Sequence, residues 1–232
     1  MWPAFARGCT AAPHAMISEI IGQCPFDIPG LFWREGRFSI SEATSMTTSA
    51  DPLGRIEITL PDELMGAVAK RKSEFLAGRI CAGLALRAAG YPIHVGRNGR
   101  APVWPRDVAG SISHSNSRAI AVVSRTHSAI GVDCETIMTD ALVQKLYAEI
   151  ISPAEAQLHP PAMSFAGFLT VVFSGKEAVY KALSSQLETM PAFLDVALVG
   201  ISPDSLHLVL NGLALTVQYR FSSMECVTLV VL

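Results

Sequence analysis

The sequence predicts an α+β fold of two halves packed together. Three observations lead there. Strand-like and helix-like runs occur twice in nearly the same order: strand, long helix, strands, then strand, helices, strands. Both long helical runs carry end signals, Pro61 and Gly90 on the first and Ser164 on the second. Alternating apolar runs joined by turn residues, with Asn211-Gly212 the clearest, mark antiparallel hairpins.

Taken in order, residues 1–55 are the least legible, because Pro, Gly, Ser and Thr interrupt any period; residues 39–50 read as loop. Residues 55–60 alternate as a short strand. A helix then runs from Pro61 to about residue 89, with Leu64, Val68, Phe75, Leu76, Ile80, Leu84 and Leu86 largely at helical spacing. Residues 96–105 form a rigid, turn-rich connection. Residues 110–115 and 119–124 are strands around Asn116-Ser117-Arg118, and another strand carries Asp133. Asp140 caps a helix to about residue 150, and Ser152-Pro153-Ala154-Glu155 fits a capping box. The long helix capped by Ser164 ends near Ser184. Strands follow at 193–200, 206–210, 213–219 and 226–232.

The chain has 232 residues, half of them hydrophobic, enough for a sizeable core. The longest uncharged stretch, about 156–175, contains His159-Pro160-Pro161 and makes a poor membrane span. Met1-Trp2-Pro3-Ala4-Phe5-Ala6-Arg7 lacks the pattern of a secretory signal. Five scattered cysteines (9, 24, 81, 134, 226) without a CxxC suggest neither a disulfide framework nor a zinc site, so a cytoplasmic setting is expected. Net charge is −2, unevenly divided: 14 Lys and Arg against 10 Asp and Glu over 1–128, but 4 against 10 over 129–232. An anionic ligand on one half and a metal on the other would suit that asymmetry, as would plain scatter.

The chemistry concentrates in two stretches. In Gly131-Val132-Asp133-Cys134-Glu135, Asp133 and Glu135 lie two apart on a strand and project their carboxylates to one side. Such a pair is costly without a cation. In Phe173-Ser174-Gly175-Lys176-Glu177-Ala178-Val179-Tyr180-Lys181, Glu177 and Lys181 share a helix face, with Lys176 beside them. Together they could form a site for a hard divalent metal and a phosphate.

These stretches resemble the GxDxE and (F/W)xxKE(S/A)xxK motifs of the 4′-phosphopantetheinyl transferases. Ser113-His114-Ser115, downstream of Gly99-Arg100-Ala101-Pro102, resembles that family's SHS and G-(K/R)-P segments. The resemblance covers about residues 60–190 and is closest to the surfactin/enterobactin-synthase type; Arg79 is similar to the component D branch. Three short motifs in the right order are a strong signal where each alone is weak. The resemblance implies a pseudo-two-fold monomer of two similar α+β halves, each a long helix packed on a small antiparallel sheet, with the active site between them. Residues 1–128 would be the basic half contacting coenzyme A phosphates, and 129–232 the acidic half with the metal site. It implies Mg²⁺, or Mn²⁺, on Asp133, Glu135 and Glu177, with Glu177 as ligand, base or both. Lys176 and Lys181 would act on phosphate oxygens, and Arg71, Arg79, Arg100, Ser113 and His114 would bind coenzyme A. The acceptor would be a serine of an apo acyl or peptidyl carrier protein, in nonribosomal peptide or siderophore synthesis. An apolar patch including Leu142, Leu146 and Tyr147 could dock the carrier, with core packing the equal alternative.

Three other classes fit less well. A metal-dependent nuclease or phosphodiesterase would place a lysine soon after Glu135, where Thr136 and Ile137 stand, and a net charge of −2 argues against a nucleic-acid partner. A non-catalytic coenzyme A or carrier-protein binding module has no need of the intact carboxylates and Lys181. A cysteine hydrolase using Cys81 or Cys134 with His114 lacks any sign of an activated thiol.

Overall fold

The computed structural model describes residues 14–48, 54–187 and 189–232. The N-terminal stretch Met1–Arg7, Cys9 and the last two residues of the 39–50 loop lie outside them. Two sheets, each backed by one long helix, make up the fold, so the α+β, two-half expectation holds.

The first sheet contains β1 (His14–Ile21), β2 (Leu31–Arg37), β3 (Ser45–Thr48), β4 (Glu57–Thr59), β7 (Ala109–Ser115) and β8 (Arg118–Ser124), in the order β4-β3-β1-β2-β8-β7. Three of these strands come from the stretch that is unreadable in sequence, and β3 occupies what reads as loop. Ser45 and Thr48 are polar yet buried, so no apolar alternation betrays the strand. β1 and β3 pair in parallel; the other neighbours are antiparallel. α1 (Ala69–Ala88) packs on this sheet through Leu76, Ala77, Ile80, Cys81 and Leu84. It begins later than the proline implies. Pro61 instead leads a 3-10 turn at Asp62–Leu64, and Val68 is extended with no side-chain cap. Tertiary bonds fix the helix start: Ser73 exchanges hydrogen bonds with the Ser41 backbone, and Lys72 pairs with Glu42 at 2.8 Å.

β5 (Gly96–Asn98) and β6 (Ala101–Val103) form a separate hairpin in the turn-rich connection. The second sheet runs β10-β11-β12-β13-β9, fully antiparallel, with β9 (Ile130–Thr136), β10 (Ala197–Ile201), β11 (Ser205–Leu210), β12 (Leu213–Phe221) and β13 (Glu225–Val231). Before β10, residues 193–195 form a 3-10 turn rather than strand. α2 (Asp140–Ile150) is capped by Thr139 rather than Asp140, through the Leu142 amide. α3 (Pro153–Ala156) carries the full capping box, and α4 (Phe165–Leu183) is capped by Ser164.

α4 lies directly on β9. A Cβ placed on Gly131 would sit 1.7 Å from the Ala178 carbonyl oxygen, so only glycine permits this approach. A cluster of Trp33, Ile120 and Val122 with Ile130, Val132, Cys134, Val227 and Leu229 joins the halves. No helix among the described residues is long and apolar enough to cross a membrane.

Candidate active site

The site begins where β7 and β9, each the last strand of its sheet, face one another. Side chains replace the missing backbone ladder. Ser111 Oγ accepts from the Val132 amide at 3.0 Å, Ser113 Oγ from the Cys134 amide at 3.3 Å, and Ser115 Oγ donates to Glu135 Oε2 at 3.4 Å. Asn116 Nδ2 donates to Thr136 Oγ1. Alternation on β7 turns every second residue to the seam, which is why the serines stand two apart.

Asp133 sits in the middle of the seam, 4 % exposed. Its Oδ1 accepts from Ser113 Oγ at 2.8 Å and Lys181 Nζ at 2.6 Å, and its Oδ2 from Ser174 Oγ at 2.8 Å. Lys181 Nζ also donates to Val132 O and Ser113 Oγ, so the ammonium binds both halves. The close packing at Gly131 sets that meeting of α4 with β9. Glu135 and Glu177 are partly buried beside this pair. Burial, then the neighbouring charge of Asp133, pushes Glu135 up to about 7 against the pull of Lys181. Burial raises Glu177 too, with Lys181 opposing and Asp133 assisting. Among the described residues, no three His, Cys, Asp or Glu side chains stand close enough to form a finished metal site. The donor set is nonetheless of the right kind: all carboxylate oxygen and partly desolvated, with Asp133 and Glu135 two apart on one strand. Asp133, Glu135 and Glu177 therefore fit a hard divalent cation.

A cavity of about 430 Å³ opens here, lined by Arg100, Trp104 and Ser111 from the first half and Glu177, Tyr180, Lys181 and Met190 from the second. Tyr180 Oη is buried with no hydrogen-bond partner among the described residues. A second cavity, about 480 Å³, lies across the β5–β6 hairpin and is lined by Phe75, Arg79 and Arg97. Arg79 donates to the carbonyls of Val95 and Gly96 and sits over the Phe75 ring. Burial, then Arg97 and Arg71, lowers it to about 10. His114 stands between Arg71, 3.5 Å from Nε2, and Glu74, 3.6 Å from Nδ1. Burial holds its pKa down, against Glu74 and with help from Lys181 and Arg71.

Two of the residues expected at phosphate are placed otherwise. Ser113 is 3 % exposed, and its hydroxyl is used by Asp133, Cys134 and Lys181. Lys176 is fully buried away from the cleft, where its ammonium donates to Glu155 Oε1 at 2.8 Å and to the carbonyls of Ile150 and Phe193. Burial raises Glu155, but bonds from Lys176 and the amides of Ser152 and Leu198 outweigh it and hold the carboxyl below its usual range. Adjacent helix positions point about 100° apart, so Lys176 and Glu177 cannot both face the cleft. Phe193 is drawn into its turn by the same lysine. Sequence reasoning gave Glu74, Ser174 and Thr228 no role, and Glu155 only that of a helix cap. Of the proposed patch, Leu142 and Tyr147 are exposed on α2, while Leu146 packs on the core.

Residues 60–124 match the 4′-phosphopantetheinyl transferase N-terminal domain, and residues 129–229 match the 4′-phosphopantetheinyl transferase superfamily. The chain belongs to this superfamily. It is 44% identical over 140 residues to enterobactin synthase component D of Escherichia coli (strain K12), a stretch covering 59% of this chain and 66% of that protein. It is 42% identical over 152 residues to component D of Salmonella typhi, covering 64% of each. It is 36% identical over 132 residues to the 4′-phosphopantetheinyl transferase PptT of Mycobacterium tuberculosis, 53% of this chain and 57% of that one. The chain thus spans just under two thirds of the length of the component D relatives. Asp133, Glu177 and Lys181, from the two stretches singled out in the sequence, are brought together at the seam.

Proposed function

We propose that this chain transfers the 4′-phosphopantetheine group of coenzyme A to a serine of an apo carrier protein. The observation that carries the reading is the joint placement of Asp133, Lys181 and Glu177 beside a cleft lined by both halves, in a chain of this superfamily. Asp133, Glu135 and Glu177 would hold Mg²⁺, or Mn²⁺, which when bound neutralises pyrophosphate charge. Lys181 and Arg100 would contact phosphate oxygens and stabilise the charge that develops on them. Arg71, Arg79 and His114 would supply the remaining anion contacts, and residues 1–128 and 129–232 would act as the two functional halves. The serine Oγ attacks the β-phosphorus, the bond from that phosphorus to the bridging oxygen breaks, and adenosine 3′,5′-bisphosphate leaves. Glu177, its pKa raised by burial, is the candidate to take the serine proton, directly or through water. The exposed Leu142 and Tyr147 of α2 offer apolar area for the carrier. The component D relatives favour a peptidyl or aryl carrier of siderophore synthesis, met in the cytoplasm by a monomeric enzyme.

Incubating apo carrier protein, coenzyme A and Mg²⁺ with this protein should add the mass of one phosphopantetheine group to the carrier. Asp133→Ala and Glu177→Ala should each slow this on the order of 100-fold or more with the fold retained. No mass gain on any of several carrier types, with folded protein, would refute the reading.

A further inference from the structure

The hydrogen-bond chain behind Asp133 has a direction that fixes its purpose. Thr228 on β13 lies directly opposite Asp133 on β9. Ser174, on the α4 turn above them, has its Oγ 2.8 Å from Asp133 Oδ2 and 2.9 Å from Thr228 Oγ1. Thr228 Oγ1 is also 2.9 Å from the Ser174 carbonyl oxygen. Ser174 and Thr228 are wholly buried. A hydroxyl has one proton, and an ionised carboxylate can only accept. The Ser174 proton is therefore committed to Asp133. Thr228, with one proton of its own, then donates to the Ser174 carbonyl or to Ser174 Oγ, and either bond holds Ser174 in place. Ser174 in turn donates to Asp133.

On the other oxygen, Ser113 donates from the first half at 2.8 Å. Asp133 is thus gripped on both oxygens by buried hydroxyls, one from each sheet-and-helix unit. Like Asp133 itself, neither hydroxyl lines the cavity, which Glu177 and Lys181 face. A carboxylate beside Lys181 already has its counter-charge, so two further neutral donors add orientation more than neutralisation. Outer hydrogen bonds of this kind orient a metal-binding carboxylate and are worth 10- to 100-fold in metal affinity.

We propose that Ser174, oriented by Thr228, is a positioning residue that presets the Asp133 carboxylate for a divalent cation. The inference rests on the reading of Asp133 as a ligand of that cation, and the test separates the two. Mn²⁺ serves as probe, since it shares the oxygen-ligand preference of Mg²⁺. Free Mn²⁺ is titrated by electron paramagnetic resonance in the presence of coenzyme A, with and without protein, alongside metal-free denaturation curves. Ser174→Ala and Thr228→Val should weaken protein-dependent Mn²⁺ binding about tenfold. Thr228→Ser, which keeps the hydroxyl, should stay within about twofold, and Asp133→Asn should lose the binding. If Ser174→Ala does not fold, the Val and Ser variants of Thr228 decide. Wild-type affinity in Thr228→Val and in folded Ser174→Ala, with binding lost in Asp133→Asn, overturns the positioning role and leaves the metal reading standing. Absent wild-type binding, or binding indifferent to Asp133→Asn, overturns the metal reading and this inference with it.

Discussion

Glu135 shows how a single residue can report on the site. Its carboxyl, raised to about 7, binds a proton more tightly in the folded chain than in the unfolded one, whose value is near 4.5. Stability from that proton is fully present below the unfolded pKa and is lost as pH rises through about 7. The metal-free protein should therefore lose thermal stability between about pH 5 and pH 8. Glu135→Gln should flatten that slope, and Mg²⁺ should raise the melting temperature most at the alkaline end. Thermal unfolding across pH, with chelator or with Mg²⁺, checks this; a wild-type slope in Glu135→Gln would assign the titration elsewhere. His114 and Arg79 invite a different measurement. Both lie on the first half beside other basic groups, Arg71 at His114 and Arg97 at Arg79, so His114→Ala and Arg79→Ala should raise KM for coenzyme A about tenfold while kcat falls less. An unchanged KM would mean that the anion lies elsewhere. These identities were legible in the sequence because a motif preserves residue type and order. What each hydroxyl or ammonium faces was not: Ser113 and Lys176 carry the motif yet bond inside the protein.

At the scale of elements, the lysine that departs from expectation explains why α4 holds its place. Lys176 ties α4 to the end of α2, to Glu155 of α3 and to the turn at Phe193, while Glu155 also accepts from Leu198. Replacing it with Met fills the volume but strands two carbonyls and a buried carboxylate, a loss of about 3–5 kcal/mol. Lys176→Met should thus lower the denaturation midpoint markedly, while transfer per folded molecule stays within about tenfold of wild type. Full stability with abolished transfer would restore the phosphate role. Helices and hairpins with strong local signals, such as the box at Ser152 and Glu155 or the Asn211-Gly212 turn, were readable from sequence. β1 to β3 were not, because their pairing is long-range and their buried faces include Ser45 and Thr48. The start of α1 was not either, since Ser41 and Glu42, some thirty residues upstream, set it.

The whole molecule depends on how the halves meet, for the cleft takes residues from both. Duplicated element order made two halves legible, but nothing in one strand's pattern announces which strand will face it across a seam. Besides the serines, Lys181 and the apolar cluster, a charged network centred on Arg118 crosses the junction. Arg118 on β8 pairs with Glu35 on β2 at 2.9 Å and with Glu225 on β13 at 3.0 Å, and Arg37 reaches the same Glu225 at 3.5 Å. The Arg118 side chain is 11% exposed, which limits solvent screening, whereas Glu225 at 35% retains some water. Glu35 also accepts from Trp33 of the junction cluster at 3.2 Å, so the clamp and the apolar contact form one unit. Breaking the clamp strands Arg118, whose Nε already lacks a partner among the described residues. Arg118→Met and Glu225→Gln should each destabilise the chain, and the double variant should lose less than the sum by about 1 kcal/mol or more. Because Glu225 faces Thr136 across the β13–β9 ladder, next to Glu135, loosening it should also weaken coenzyme A-dependent Mg²⁺ activation. Denaturation of the four proteins in the cycle, with Mg²⁺ titrations of activity, tests both effects. Additive losses would make the ion pair incidental to the union of the halves, and an unchanged Mg²⁺ requirement would separate that union from the geometry of the site.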